Sequence, residues 1–313
     1  MGRYVLRRLL QAIPVLLGTT FLIFAIVYAL PGDPLQALAG EKRVDPVFAA
    51  AMREQFHLNE PLLVRYGYYL RDILSGDFGT TFRGLPVSTI FEGKFQVTFK
   101  LSMTALVFEA VIGVGLGFWA ALRRGKWEDK AVLAFTLLLV SIPTLVSGFV
   151  LQLLLGVKLK LGTGIAFFPV AGVQDGLRSY LLPGFVLATV SIAYLTRLTR
   201  TSLMETLRAD YVRTAVAKGM PKSRVLGRHA LRNSLIPMVT YLGADLGTLM
   251  GGAVITETIF NLPGIGQQLF QSVYLQENPV VVGIVTVLVL IYIVANLVVD
   301  MLYAVLDPRI RYE

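Results

Sequence analysis

Three acids sit where acids are costly. Glu109, Asp245 and Glu257 fall within or at the end of long apolar runs. Hydrocarbon does not solvate a carboxylate, so an acid in such a run is a functional hypothesis by default. All three are candidates to line a pathway, where Glu109 and Asp245 would attract a cationic group. These two have a second reading as a protonated or hydrogen-bonded residue packed on a partner helix. Packing is the stronger reading for Glu109, near the middle of its run. The two readings stand level for Asp245, near the middle of another. Glu257, at the far end of that same run, lines a mouth or caps a helix end.

Other chemistry is missing. No Gly-x-x-x-x-Gly-Lys-Ser/Thr phosphate loop occurs, so ATP cannot be bound and hydrolysed by that route. His-Glu-x-x-His and Gly-x-Ser-x-Gly are also absent. The two histidines, His57 and His229, are expected on opposite sides of a membrane, which disfavours a histidine metal site. With no cysteine there is no disulfide, thiolate site or Cys nucleophile. An enzyme is not expected, and neither is a cofactor.

A second constellation is basic. "ADYVRTAVAKGMPKSRVLGRHALRNSLIP" runs from Ala209 to Pro237 between two apolar runs. Asp210 is the expected N-cap of a helix over Tyr211 to Lys218, about 12 Å long at 1.5 Å per residue. Gly219 supplies a left-handed stop and Pro221 prevents continuation. Val212, Ala215, Val216 and Gly219 then share a small, mildly apolar face, opposite Arg213 and Lys218. That face suits a protein groove better than a bilayer. Ser223 is placed to cap a second helix, Arg224 to Arg232. The other reading is a solvated connector whose Lys and Arg touch lipid headgroups.

The elements that position these groups are membrane spans. The chain has 313 residues, a formal net charge of +9 and 55% hydrophobic residues. A span needs about 20 mostly apolar residues. Six stretches serve: Leu9 to Leu30, Leu101 to Leu122, Ala131 to Leu155, Leu181 to Leu195, Leu235 to Ile255 and Val280 to Leu306. The fourth is short and must borrow Tyr180 and Thr196. The fold class is therefore all-α, a polytopic bundle of six transmembrane helices.

The basic residues orient it. Arg3, Arg7 and Arg8 precede the first run, and Arg123, Arg124, Lys126 and Lys130 lie between the second and third. Nine more lie from Arg197 to Arg232, with Arg309 and Arg311 after the last run. The intervening short loops hold only Lys158, Lys160 and Arg178. This positive-inside pattern puts both termini in the cytoplasm and explains the charge without nucleic acid. The first apolar run exceeds a signal-peptide core, and "PGDP" at Pro31 to Pro34 separates it from "ALA" at Ala37 to Ala39, so cleavage is not expected.

Three regions result: 1–30, the N-terminus and first span; 31–100, an outer loop; and 101–313, five spans with a cytoplasmic loop over 197–234. The outer loop shows helical apolar spacing from Pro46 to Leu74 (Phe48, Met52, Phe56; Leu63, Tyr66, Leu70, Leu74). It reads as a lid of short helices on the bundle, and also as a docking surface for an external partner. Pro14, Pro143, Pro183 and Pro237 are expected to bend their helices. Small residues in "SIPTLVSG" (Ser141 to Gly148) and "LGTLMGGA" (Leu246 to Ala253) suit close helix packing.

The basic segment resembles the cytoplasmic loop of membrane permeases in ATP-binding-cassette importers of the dipeptide, oligopeptide and nickel group. The resemblance covers the whole chain. It takes in "RYVLRRLLQAIPVLLGTTFLIF" at the start, "LPGDP", "GDFGTTF", "ETIFNLPGIGQQL" (Glu257 to Leu269) and the ending "LDPRIR". The broader importer motif opens Glu-Ala-Ala before its Gly, where this chain has Arg213, Thr214 and Ala215.

The resemblance implies a type I importer permease in a bacterial inner membrane. It implies that Arg213, Thr214, Ala215, Ala217, Lys218 and Gly219 form a coupling element docked on a cytoplasmic ATPase. Implied partners are a second, homologous permease forming a heterodimer, two ATP-binding-cassette ATPase domains that bind the ATP, an extracytoplasmic substrate-binding protein and membrane lipid. The implied cargo is a dipeptide or oligopeptide, with nickel complexes or haem as the alternative. From another class, an ion-coupled transporter would show internal repeats, and none is visible.

Overall fold

The computed structural model describes residues 2–29, 45–164 and 167–306. "PGDP", Ala37 to Ala39, Arg309 and Arg311 lie outside the described residues. The described residues are helical, apart from turns, loops and one isolated bridge between Thr80 and Pro86. They form two compact units, Met1–Thr98 with Pro263–Leu297 and Phe99–Leu262 with Val298–Glu313.

In the first unit, α1 (Gly2–Ala29) carries Pro14 in its body. Helix α2 (Pro46–Gln55) starts as its sequence dictates: Asp45 accepts the Val47 N–H at 2.9 Å, and Pro46 takes a first-turn position that needs no donor. Helix α3 (Leu62–Leu74) turns Leu62, Tyr66 and Tyr69 inward, while Leu63 and Leu74 are exposed. Tyrosines suit this contact because an apolar ring ends in a polar tip. The Tyr66 hydroxyl donates to the Leu17 carbonyl at 2.9 Å, fixing α3 against α1. The Tyr69 hydroxyl meets Thr286 Oγ1 at 2.6 Å on the last helix, α11 (Asn278–Leu306). The outer-loop helices are thus packed on spans. Phe24, Val27, Val281 and Val282 form the core between them. Helix α10 (Ile265–Tyr274) is held through the Ile265 N–H, which donates to Thr98 Oγ1 at 2.9 Å.

The second unit is organised by α7 (Arg178–Arg208), a 31-residue helix with Pro183 inside. It is far longer than the fourth apolar run. Beside it lies the second half of α4 (Val87–Leu122). Gly113 and Gly117 are four residues apart on one face of α4, the small-xxx-small pattern that lets backbones approach. They face Leu195 and Thr196 of α7. Helix α5 (Trp127–Ser141) stops at Ile142 and Pro143, where the chain turns extended, and α6 (Thr144–Thr163) restarts. Pro143 therefore breaks the third span rather than bending it. After α7 come α8 (Asp210–Ala217), a turn at Lys222–Arg224, a wide-turn segment at Val225–Leu231 and α9 (Arg232–Ile259).

Among the described residues, five helices are long and apolar enough to span a membrane. The stretch Val225–Gly251 with Ala253–Ile259, bent by 50°, makes a sixth. That bend lies at the Gly251–Gly252 pair, where paired glycines leave the backbone soft.

Arg124, Arg178 and Lys218 are all exposed. Single Arg124→Cys, Arg178→Cys and Lys218→Cys variants are expected to label from inside, outside and inside respectively with an impermeant maleimide. Any other pattern refutes the orientation read from the charges.

Candidate functional site

Local sequence builds α8. Ala209, extended, is its cap residue, and its carbonyl accepts from Val212 and Arg213 at 3.0 and 3.1 Å. Asp210 is the first helical residue and makes no capping hydrogen bond, which corrects the N-cap expectation by one position. Its charge still suits the positive helix start. At the other end the Met220 N–H reaches the Ala215 carbonyl at 3.3 Å and the Gly219 N–H reaches Val216 at 2.9 Å. This pair of bonds is the Schellman stop, and it requires the left-handed φ of +75° that Gly219 adopts. The next turn is capped by the Pro221 carbonyl, which accepts from Arg224 at 2.9 Å, and not by Ser223. Helix then starts at Lys222, ahead of the expected Arg224.

The faces of α8 are fixed by packing. Val212 and Ala215 are 3% and 5% exposed and close on Val225 and Met220. The small apolar face thus seats the helix on its own chain. Arg213, Thr214, Val216, Ala217, Lys218 and Gly219 remain exposed. Of the six residues expected to couple, five face outward and Ala215 faces in. A second cluster, Ala121, Leu203 and Ala230, anchors the following segment to α4 and α7.

Asp129 of α5, 71 residues before Arg200 of α7, receives two hydrogen bonds from it, at 2.6 and 2.9 Å. The Gly125 N–H adds a third at 2.9 Å. The Arg200 bonds, supported by the Gly125 N–H, hold the Asp129 carboxyl below its usual range. Its stabilising contribution is therefore complete above the ordinary carboxylate pKa of about 3.9 and fades only as pH falls through the lowered value. Asp129 is 4% exposed at its side chain. Breaking such a pair costs roughly 3–5 kcal/mol. Arg200→Met is expected to lower the thermal midpoint of the purified chain clearly. Arg123→Met, which removes the half-exposed 3.8 Å contact with Glu128, should change stability by at most about 1 kcal/mol. Equal melting of the two variants would refute the ranking.

The acids of the apolar runs do not all meet. Glu109 and Asp245, far apart in sequence, lie side by side. Glu109 is fully buried where α4 widens into a π-helical segment, Glu109–Gly113, and Asp245 is 7% exposed on α9. Such widened turns recur at functional sites. Both oxygens of Glu109 and Oδ2 of Asp245 have no hydrogen-bond partner among the described residues. Tyr241, one turn before Asp245, completes the cluster and stacks on Tyr194 at 4.7 Å. The i, i+4 spacing of Tyr241 and Asp245 is a readable signal for it. Glu257 stands apart, fully buried beside Tyr180. Two buried acids flanked by tyrosine form an electronegative site that suits a cation with N–H donors.

Comparison with known proteins follows the same lines. A family model described as the binding-protein-dependent transport system inner membrane component matches residues 113–312, and the N-terminal model of such membrane components matches 1–87. The dipeptide transport system permease protein DppB of Alkalihalophilus pseudofirmus is 37% identical over 331 residues, 99% of each chain. DppB of Escherichia coli K12 is 35% identical across the full length of both chains. The glutathione transport system permease protein GsiC of Salmonella typhimurium is 37% identical, again end to end. Among solved structures, an inward-facing form of the MetNI methionine ABC transporter superposes with a TM-score of 0.57 at 18% identity, covering 70% of this chain and 97% of that one. That likeness shows a shared fold. Matched by its family across most of its length and by relatives from end to end, the chain belongs to the inner membrane components of binding-protein-dependent transport systems.

Proposed function

We propose that the chain is the permease subunit of an ATP-driven importer that moves peptides, dipeptides first among them, into the cytoplasm by alternating access. The observation that carries this is end-to-end similarity to permeases named for dipeptide and glutathione transport. On this reading a second, similar permease completes the pathway and an extracytoplasmic binding protein delivers the cargo. Two ATPase domains bind the ATP and act through the exposed face of α8. The cluster of Glu109, Asp245 and Tyr241 then meets the cationic amino terminus of the peptide.

The experiment is uptake of dialanine into vesicles holding the chain with its partner permease, ATPases and binding protein. Uptake should require ATP and all partners. Asp245→Asn should weaken it about tenfold, the effect of roughly 1.4 kcal/mol, with assembly intact. Uptake that proceeds without ATP refutes the import reading. Unchanged uptake by Asp245→Asn assigns the residue to packing.

A further inference from the structure

The outer part of the first unit holds a half-open cleft of about 280 Å³ that the import reading does not use. Its wall includes Tyr28, Phe56, His57, Arg65, Tyr68 and Asp77. Arg65 lies over the Tyr28 ring, its guanidinium carbon 4.0 Å from the centroid. Arg65 also engages the Tyr28 hydroxyl, but its buried Nε and Nη2 reach no hydrogen-bond acceptor among the described residues. A buried guanidinium with idle donors is costly, and a ligand oxygen relieves it best because charge-assisted bonds are the strong ones. The opposite charge is also present. Asp77 commits one carboxylate oxygen to the Gly79 N–H at 2.8 Å, which leaves the second for a ligand. Asp72, the other acid of the wall, is paired with Arg71 at 3.1 Å.

The walls between these charges are aromatic and fixed. His57 stacks on Tyr68 at 4.4 Å, and Phe56 packs edge-on to Phe82 at 5.1 Å. His57 has a φ of +50°, a conformation that residues other than glycine rarely adopt. The His57 N–H bonds Glu54 and the Leu58 N–H bonds Arg53, at 3.1 and 2.8 Å, the left-handed stop of α2 that fixes the ring in the wall.

We infer that this cleft binds a small zwitterion, its anionic group on Arg65, its ammonium on Asp77 and its body against the aromatic wall. The volume lies just below the roughly 300–1,000 Å³ of pockets for drug-sized ligands, so the ligand is no larger than a dipeptide or a phospholipid headgroup. Both sources present the same chemistry. Tyr28, at the end of the first span, places the site where either arrives.

The test uses the assembled complex in nanodiscs of phosphatidylglycerol, a lipid without ammonium. Dialanine and glycerophosphoethanolamine are titrated separately and followed by saturation-transfer NMR. At least one should saturate, and Arg65→Gln and Asp77→Asn should each weaken it at least about tenfold. Arg65→Lys, which keeps the charge, should retain part of the binding and controls for folding. Saturation by dialanine alone makes the ligand a soluble peptide. Saturation by glycerophosphoethanolamine alone makes it a lipid headgroup. No saturation by either, or saturation indifferent to both variants, overturns the site. The measurement involves neither ATP nor uptake, so its failure leaves the import reading untouched.

Discussion

Gly117→Val is expected to leave no folded permease to purify. A Cβ at this position would lie 2.5 Å from the Thr196 carbonyl oxygen and 2.5 Å from Thr199 Cβ. The first obstacle is backbone in the interior of α7, whose residues around it, Ile192, Ala193, Leu195 and Thr196, are fully buried. A flexible side chain could swing aside, but a helical carbonyl moves only with its helix. Overpacking of this kind costs about 1–3 kcal/mol or more, and the fixed obstacle places Gly117 at the upper end. Valine also brings two further branches to the contact. Gly115, two residues earlier on the opposite side of α4, has nothing within 4 Å of a built Cβ, so Gly115→Val is the control. The measurement is recovery of monodisperse protein in detergent and its thermal midpoint. Recovery of Gly117→Val at the level of Gly115→Val would refute the close packing of α4 on α7.

Much of this arrangement is legible in the sequence. Spans announce themselves because hydrocarbon tolerates only long apolar runs, and five of the six runs fall on four spanning helices and the bent pair. The third, Ala131 to Leu155, is split at Ile142 and Pro143, so that only its second half lies on the spanning helix Thr144–Thr163. The limits of those helices are less legible. Helix α4 begins at Val87, well before its apolar run, because Glu92, Lys94 and Lys100 interrupt the pattern without interrupting the helix. Helix α7 outruns its own run because Arg200, which reads as part of a loop, is neutralised by Asp129 of α5. No local pattern reports a partner that far along the chain.

The candidate residues divide the same way. The stop at Gly219 is readable, since glycine followed two residues later by proline leaves few alternatives. The direction of the Val212 and Ala215 face is not, because a small apolar stripe serves a partner's groove or the chain's own core equally well. Its periodicity gives the face and not the neighbour. Glu109 and Asp245 are each conspicuous as acids in apolar runs, yet their adjacency depends on how α4 and α9 register against one another. Gly113 and Gly117 carry the small-xxx-small signal openly. The denser small residues of "LMGGA" and "TLVSG" overshadow them, although of these Gly148 does meet Ile259.

The exposed face of α8 is where the second large effect is expected. Thr214 and Ala217 are small and outward, flanked by Arg213 and Lys218. On the proposed function this face docks in the ATPase groove, and a carboxylate in the centre of such a contact loses its water without gaining a partner. Ala217→Glu should therefore lower uptake, and the ATP hydrolysis stimulated by loaded binding protein, by about a hundredfold or more, since leaving a buried charge unpaired costs roughly 3–5 kcal/mol. The chain itself should fold normally, because Ala217 touches none of the cluster formed by Val212, Ala215 and Val225. Ala215→Glu provides the contrast. That carboxylate would enter the buried cluster within the chain, so the loop itself should loosen, seen as faster proteolysis between Arg208 and Arg232. Gly219→Val lies between the two. Nothing obstructs its side chain, and only the left-handed backbone resists, at about 1–2 kcal/mol, so uptake should fall severalfold rather than vanish. The order of loss in uptake should be Ala217→Glu above Gly219→Val, with protease resistance unchanged in the first. Full uptake from Ala217→Glu would remove the docking role from this face and leave α8 as a connector whose basic residues meet lipid headgroups.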